Sequence, residues 1–200
     1  MTPLARPGFA SRAGGVPACG EALDRREGVT RREADGDGGL RDRIADFLAA
    51  HTTMALATVD ATGMPCAAAV FYAPDADLNL VLLSEEWSEH GRNLRARGWA
   101  AGTIQADGQD WRQIRGLQVR GRVEPVPSGG LIHAAAVYGK RFAFVGALLA
   151  GSGGPGVLAG PLARARFWVL RPAWFRLVDN TVRFGFKEEL VLAEGKSDGA

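Results

Sequence analysis

From about residue 40, the apolar residues first follow helical spacing and then the alternating spacing of strands. In LRDRIADFLAAHT the apolar residues form one helical stripe, made up of Leu40, Ile44, Phe47 and Leu48. The segments that follow, TMALATVD, PCAAAVFYA and LNLVLLS, have the composition and alternation of strands. The turn sequences ATGMP and PDAD separate these segments. The pattern predicts a helix followed by a three-stranded antiparallel meander.

The second half of this region predicts two more helices and four more strands. A short helix is expected to begin at Trp87, with Trp87 and Leu94 facing inward, and residues 128–150 are expected to be helical. A Gly/Pro-rich loop follows at residues 151–163. The predicted strands are GWAAGTIQAD, WRQIRGLQVRGRVEPV, ARFWVLRPAWFRLVD (broken near Pro172) and TVRFGFKEEL.

The order of these elements indicates the fold class. About seven strands follow one another in hairpin order within roughly 150 residues, and they do not alternate regularly with helices. Such an order disfavours a parallel α/β sheet, in which each strand would be followed by a crossover helix. We therefore predict a mostly β (α+β) protein built on a closed or nearly closed antiparallel barrel with peripheral helices.

The two ends of the chain differ in composition from this central region. Residues 1–38 are rich in Gly, Arg, Asp and Glu and have almost no apolar periodicity, so we expect a disordered tail. Residues 39–192 are predicted to form the folded domain, and residues 193–200 a frayed polar tail. Cys19 lies in the first tail and has no predicted role.

Charge and cysteine content narrow the functional classes. Lysine and arginine total 24 against 22 aspartate and glutamate residues, so the net charge of +2 gives no basic excess for nucleic-acid binding. The two cysteines, Cys19 and Cys66, do not make a disulfide framework, which favours a reducing cytoplasm. Together with three scattered histidines they predict no metal cluster.

Neither a membrane helix nor a signal peptide is expected. The most apolar stretch, FAFVGALLAGSGGPGVLAG, is interrupted by glycine and proline, whereas a membrane helix needs about 20 mainly apolar residues in succession. The N-terminal segment has basic residues but lacks the apolar core of a signal peptide. Membrane binding is therefore not part of the predicted function.

The stretch VLLSEEWSEHGRNL, residues 81–94, is the strongest candidate for chemistry. It is typical of a strand that ends at Ser84 and leads into a helix, a junction where free backbone N–H groups can bind an anion. A structural alternative is that Ser84 only caps the helix, with Glu85 and Glu86 placed where a helix dipole favours carboxylates. Both interpretations remain open from the residues alone.

Taken together, the segments ALATVDATGMPCAAAVFY, LLSEEWSEHGRNL, AGTI and GLQVRGRVEPV resemble the pyridoxamine 5'-phosphate oxidase-like family of FMN-binding split barrels. The resemblance covers roughly residues 40–190 and lies in the order and spacing of the elements. It implies a homodimeric split barrel with FMN in the groove between subunits. It also implies a flavin-dependent oxidoreductase that acts on a small molecule.

The resemblance also implies a cofactor site at six positions. The family grips the FMN phosphate with a strand-ending Thr or Ser, a helix-opening Ser-Arg-Lys run and an Arg on an earlier strand. In this sequence the strand-ending residue corresponds to Ser84, and the helix-opening run to Ser88, Glu89 and His90. The earlier arginine corresponds to Ala68. The cofactor-binding residues implied are Ala68, Ala69, Val70, Ser84, Ser88 and His90.

Two cations of the family pattern are therefore missing, at Ala68 and Glu89. An arginine from WRQIRGLQVRGR could replace them, although its four arginines also fit an exposed charged strand: Arg112, Arg115, Arg120 and Arg122. The loss of phosphate cations also suits a different ligand. The alternatives are haem or a deazaflavin on the same fold, or a dimer that binds a ligand without catalysis. No catalytic residue can be assigned, and Lys187, Glu188 and Glu189 are interpreted as a surface charge cluster.

Overall fold

A computed structural model describes residues 29–33, 38–108, 110–145 and 162–192. Cys19 and most of the two predicted tails lie outside these ranges. The strands are β1 (Val29–Glu33), β2 (Thr53–Val59), β3 (Pro65–Pro74), β4 (Leu80–Glu85), β5 (Trp99–Gln105), β6 (Arg115–Pro125), β7 (Ala165–Asp179) and β8 (Lys187–Val191). The helices are α1 (Gly38–Ala50), α2 (Glu89–Arg97) and α3 (Leu131–Arg141), and a short 3₁₀ turn, Ser128–Gly130, precedes α3.

Six of the strands close an antiparallel barrel in the order β7-β4-β3-β2-β5-β6, with β6 pairing back to β7. The long strand β7 makes this closure possible, because its first half pairs with β4 and β6 and its second half with β6 and β8. The predicted mostly β, antiparallel barrel with peripheral helices is confirmed. The helices lie between strands along the chain, as the sequence indicated.

Alternating side chains along each strand divide the apolar residues between two clusters. The barrel interior holds the larger cluster, which includes Leu56, Tyr72, Leu82 and Trp168 and is joined by α1 residues such as Ile44. On the outer face, α3 covers a smaller cluster around Val81, Tyr138 and Phe167. Burial of apolar area stabilises the fold by about 25 cal/mol per Å² removed from water. The inner cluster is therefore the main source of stability.

The predicted break of the last long strand near Pro172 does not occur, because β7 is continuous. The irregularity at this point is a bulge in β7 itself: Arg120 pairs with Trp174 and Gly121 with Pro172, so Ala173 has no partner on β6. A Cβ on Gly121 would lie 2.0 Å from the Arg171 carbonyl oxygen, so only glycine fits at this bulge. Proline has no N–H to donate, and the bulge accommodates it inside a paired strand.

Several predicted boundaries and environments are wrong. Residues 29–33, predicted to be disordered, form β1 and pair in parallel with β8, because the edge of β8 offers unpaired backbone groups. Strand β6 begins at Arg115 and β8 at Lys187, later than predicted, since turns precede both. Trp87 precedes α2 and its side chain is 71% exposed, so it does not face the core, whereas Leu94 does.

The predicted surface charge cluster near Lys187 is also wrong for its two glutamates. Glu188 is 4% exposed and pairs with Arg43, and Glu189 is 8% exposed and pairs with Arg176. Strand β8 lies between β1 and β7, which removes these carboxylates from water. Each buried carboxylate has a guanidinium partner, as the cost of burying an unpaired charge requires.

The predicted helix over residues 128–150 is divided in its described part. It consists of the 3₁₀ turn, α3 and a further helical stretch at residues 143–145 after a break at Phe142, and residues 146–150 lie outside the described ranges. Arg141 at the end of α3 donates to the backbone oxygens of Leu48 and Ala49 in the last turn of α1 and of His51 just after it, where carbonyls have no partner within the helix. This contact ties α3 to α1 across the barrel. Within the described residues, no helix has both the length and the apolarity to cross a bilayer.

Candidate functional site

The barrel has an opening between β3 and β4. These strands pair over three residues only, from Tyr72↔Leu82 to Pro74↔Leu80. Beyond that point β3 continues along β2, while the end of β4, from Leu83 to Glu85, pairs with β7 alone. The two strands therefore diverge, and we call the space between residues 65–71 of β3 and residues 83–85 of β4 the split.

The β3 side of the split presents an unpaired backbone edge. Tyr72 donates its N–H to the Thr52 oxygen on the β2 side. Because the hydrogen-bonding direction alternates along a strand, the N–H and C=O groups of Ala67 and Ala69 point to the other side, into the split. No described strand pairs with them there. Unpaired backbone groups of this kind are a ready template for hydrogen bonding to a ligand or a second chain.

Small side chains leave this edge accessible on the outer face. Ala67 and Ala69 are exposed, while Ala68 and Val70 point to the barrel interior, where Val70 is 9% exposed and Ala68 packs against the inner cluster. Among the three candidates on this strand, the structure therefore places the side chain of Ala69 on the outer face and those of Ala68 and Val70 on the inner face. All three contribute backbone to the wall of the split.

Helix α2 closes one end of the split. Its N-cap is Ser88, whose Oγ accepts from the Gly91 N–H at 3.1 Å. The prediction that Ser84 is the cap is thus wrong, because Ser84 lies within β4, and Glu89 is the acidic residue of the first turn. Asn93 fixes the helix to β2, since its Nδ2 donates to Thr58 Oγ1 at 3.1 Å in a buried pair.

Ser84, Ser88 and His90 come together at this end, as the resemblance implied. His90 Nε2 lies 2.5 Å from Ser84 Oγ and 3.1 Å from Ser88 Oγ. The Ser88 hydroxyl donates to the Glu85 carbonyl oxygen, so towards His90 Ser88 Oγ can only accept. Burial lowers the pKa of His90, and the nearby Glu89 carboxylate opposes this effect less strongly. His90 is therefore neutral at pH 7 in the folded protein.

Cys66 of β3, which the sequence analysis had not placed in the site, contacts α2. Its Sγ lies 3.5 Å from Glu89 Oε1, so the exposed carboxylate bridges from α2 to the start of β3. Burial, and secondarily Glu89, raise the pKa of the Cys66 thiol. The thiol is thus protonated at pH 7 and is not an activated nucleophile. Spacing along the chain gave no signal for this contact between residues 23 positions apart.

An ion-pair cluster is centred on the buried carboxylate of Glu86, between the end of β4 and α2. Glu86 is 5% exposed, and its carboxylate contacts both Arg95 of α2 and Arg166 of β7, the latter with Nε 2.5 Å from Oε2. We call Glu86, Arg95 and Arg166 the triad. The sequence analysis interpreted Glu86 as a helix-dipole residue and did not consider Arg166, because the pairing of β4 with β7 is not visible in local spacing.

The four arginines proposed as replacements lie elsewhere in the subunit. Arg120 and Arg122 pair with β7 at Trp174 and Arg171, whereas Ser84 pairs with β7 at Arg166. At about 3.3 Å per residue this separation is roughly 16 Å or more along the strand. The other two are also engaged: Arg112 precedes β6 and stacks on Trp111, and Arg115 pairs with Asp179. Within one subunit, these arginines do not reach the split.

Comparison with known proteins places this architecture in a family. Residues 40–179 match the family model described as pyridoxamine 5'-phosphate oxidase. The chain belongs to the pyridoxamine 5'-phosphate oxidase family. A UPF0306 protein of Klebsiella pneumoniae is 32% identical over 121 residues, which cover 58% of this chain and 70% of the relative. A UPF0306 protein of Yersinia enterocolitica is 24% identical over 144 residues, 72% of this chain and 88% of the relative.

Solved structures share the fold of this family member at low sequence identity. The haem-binding protein from Mycobacterium smegmatis has a TM-score of 0.58 and 24% identity, covering 74% of this chain and 56% of that one. HutZ, the haem storage protein from Vibrio cholerae, has a TM-score of 0.54 and 21% identity, covering 66% of this chain and 89% of that one. At this identity the similarity shows the fold, and the family resemblance predicted from sequence is confirmed.

Proposed function

We propose that the protein binds FMN in the split and carries out a flavin-dependent redox reaction on a small molecule. The observation that carries the proposal is the split itself. An accessible backbone edge on one wall leads to a cluster of hydroxyls and a helix N-terminus at one end. A flat ring that hydrogen-bonds to backbone groups suits the edge, and a phosphate suits the helix end. This fit supports FMN as the cofactor of this family member.

The side chains of the split have roles that follow from their positions. Ala67 and Ala69 leave the backbone edge open to a ring system. The Ser84 hydroxyl and the first N–H groups of α2 offer hydrogen-bond donors to an anion, and His90, which contacts both serines, can take up a proton there. Bound FMN would supply the redox chemistry, and the chain would bind and orient it. No side chain of the split is assigned a catalytic step.

Glu89 opposes anion binding at the same end. It is exposed, it stands where the family pattern has a cation, and it points toward Cys66. Each lost charge-assisted contact costs about 1.5–3 kcal/mol, and a tenfold change in affinity corresponds to about 1.4 kcal/mol. We therefore expect FMN to bind in the micromolar range or more weakly, and to be lost during purification.

A second copy of the chain completes the proposal, because the described residues leave the outer face of the barrel next to the split exposed. Ala55 and Ala57 of β2 are exposed beside Ala67 and Ala69 of β3, and Phe71 is 47% exposed at the end of the same face. Flat faces of small apolar side chains allow close approach of another sheet. A homodimer would cover this face and enclose the ligand in the split.

Titration of FMN and riboflavin tests the proposal, since the two differ only in the phosphate. Glu89→Arg should tighten FMN at least tenfold and leave riboflavin nearly unchanged. Asp107→Arg is the matched control, because it makes the same charge change on an exposed residue after β5, at the other end of the barrel. Equal changes for both flavins, or none for either, would place the phosphate elsewhere and refute this site.

Haem is the second candidate, and His90 is the observation that favours it. A neutral imidazole that is partly buried beside an open split is the form that ligates iron. The absorption spectrum separates the candidates, because flavin bands and a Soret band differ. A Soret band that is lost in His90→Gln but kept in His133→Gln, a control at an exposed histidine, would favour haem over FMN.

A further inference from the structure

The strand pairing brings Arg166, a cation outside the phosphate-binding pattern described above, opposite Ser84. We propose that Arg166 is the residue that binds the phosphate beside Ser84, in place of the cations missing at Ala68 and Glu89. This inference rests on the proposed binding of FMN in the split. It assigns to β7 a specificity role that would distinguish phosphorylated from unphosphorylated flavin.

The register of β4 and β7 places the two side chains together. Ser84 is the direct antiparallel partner of Arg166. Directly opposed residues have Cβ atoms about 4.5–5.5 Å apart and point to the same face of a sheet. The preceding pair on that face, Leu82 and Trp168, lies in the barrel interior, so Ser84 and Arg166 continue the inner face at the end of the barrel.

Glu86 holds the Arg166 guanidinium without cancelling the charge of the triad. Arg166 contacts the Glu86 carboxylate through Nε, and its guanidinium has two further nitrogens that can donate to a phosphate. One carboxylate stands between two guanidiniums, those of Arg166 and Arg95, so the triad carries a net charge of +1. The Glu86 side chain is 7% exposed, which fixes the anchor of both guanidiniums.

Exposure leaves Arg166 available to a ligand. Its side chain is 65% exposed although its partner is buried, so solvent reaches the guanidinium. An arginine fork binds a phosphate in bidentate fashion, which a neutral hydroxyl cannot do. Ser84, His90 and Arg166 together would then offer three donors to one phosphate when His90 is protonated. Glu89, the carboxylate at the same end, is the charge that they must outweigh.

The decisive experiment compares Arg166→Gln with Arg164→Gln in the full-length protein. Arg164 is the matched control because it is exposed, has the same charge and lies two residues before Arg166, outside β7. Dissociation constants for FMN and riboflavin are measured by quenching of flavin fluorescence, with unfolding midpoints as a check of folding. We expect Arg166→Gln to weaken FMN about tenfold to a hundredfold, the range for a charge-assisted contact, and to leave riboflavin unchanged.

The other outcomes separate the two proposals. A parent protein that prefers FMN over riboflavin, with the preference intact in Arg166→Gln, would refute the role of Arg166 and leave FMN binding in place. Equal weakening by Arg166→Gln and Arg164→Gln would mean a general electrostatic effect and would also refute it. A parent that binds neither flavin would overturn the proposed function and this inference with it. Arg166→Lys keeps the charge without the fork, so it should recover part of the preference.

Discussion

Replacing Gly91 with alanine tests the packing that holds the start of α2 at the split. Gly91 is buried in the first turn of the helix, directly above the chain that leaves β4. A Cβ at this position would lie 2.5 Å from the Glu85 carbonyl oxygen, 2.6 Å from the Glu86 oxygen and 2.9 Å from the Glu86 carbonyl carbon. All three neighbours are backbone atoms, so no rotamer change can relieve the contact. The helix or the junction must move.

The expected loss of stability is the difference between two terms. Overpacking in a close-packed region costs about 1–3 kcal/mol, and three backbone contacts point to the upper part of this range. Alanine is favoured over glycine within a helix by about 1 kcal/mol, which offsets part of the cost. We therefore expect a net loss of about 1–2 kcal/mol. At about 2–4 °C per kcal/mol for a chain of this size, the unfolding midpoint should fall by roughly 2–8 °C.

The assay is thermal unfolding followed by circular dichroism, with Gly129→Ala as the matched control. A Cβ on Gly129 would meet nothing within 4 Å, so the control should change the midpoint by no more than a degree or two, ~0.5 kcal/mol. Because movement of α2 displaces Ser88 and His90, Gly91→Ala should also weaken FMN more than riboflavin. A Gly91→Ala protein as stable as its parent would show that α2 does not pack on the junction as described.

Three further predictions concern the bulge at Gly121, the contact of Arg141 with the end of α1, and the pH dependence of stability. Gly121→Ala should lower the free energy of unfolding, measured by chemical denaturation, by at least ~3 kcal/mol, because its Cβ would overlap the opposite strand. Gly116→Ala, whose Cβ would have its nearest neighbour at 3.6 Å, should be nearly neutral, and similar losses for the two variants would refute the bulge. Arg141→Met should lower the free energy of unfolding by about 1.5–3 kcal/mol, because it removes the donors to the end of α1. Lys140→Met, an exposed control, should lower it much less, and equal losses would refute the stabilising role of the Arg141 contact. Burial lowers the pKa of His90 below its unfolded value of about 6.5, so the unfolded state takes up the proton first on acidification. The free energy of unfolding should therefore fall as the pH drops from about 6.5 through the folded pKa. The unfolding midpoint of His90→Gln should fall less between pH 7 and 5, and parallel profiles would contradict the buried neutral imidazole.

Much of the fold was predictable because strand and helix periods are local properties. Strand β2 alternates exposed and buried positions along its length, as TMALATV predicts, and Leu40, Ile44 and Leu48 of α1 face the core. The order of elements was sufficient to indicate an antiparallel barrel and the family. The cluster of Ser84, Ser88 and His90 was also within reach of sequence reasoning, because its members lie within seven residues and one strand–helix junction.

Only the tertiary structure decided which charges and rings lie inside. Trp87, expected in the core, is exposed, and Glu86 beside it is buried, because two arginines from other elements reach its carboxylate. Glu188, expected at the surface, is buried between strands. The physical reason is that burial depends on which strands become neighbours. Those pairings join residues far apart in the chain, and no local period specifies them.

The same distinction applies to the site. The sequence by itself determined the serines, the histidine and the missing cations at Ala68 and Glu89. It could not show that Arg166 stands opposite Ser84, because that contact depends on the register of two strands about 80 residues apart. A shift of one residue in that register would turn Arg166 to the other face of the sheet. The position of Arg166 opposite Ser84 is therefore a property of the closed barrel and is absent from the local pattern.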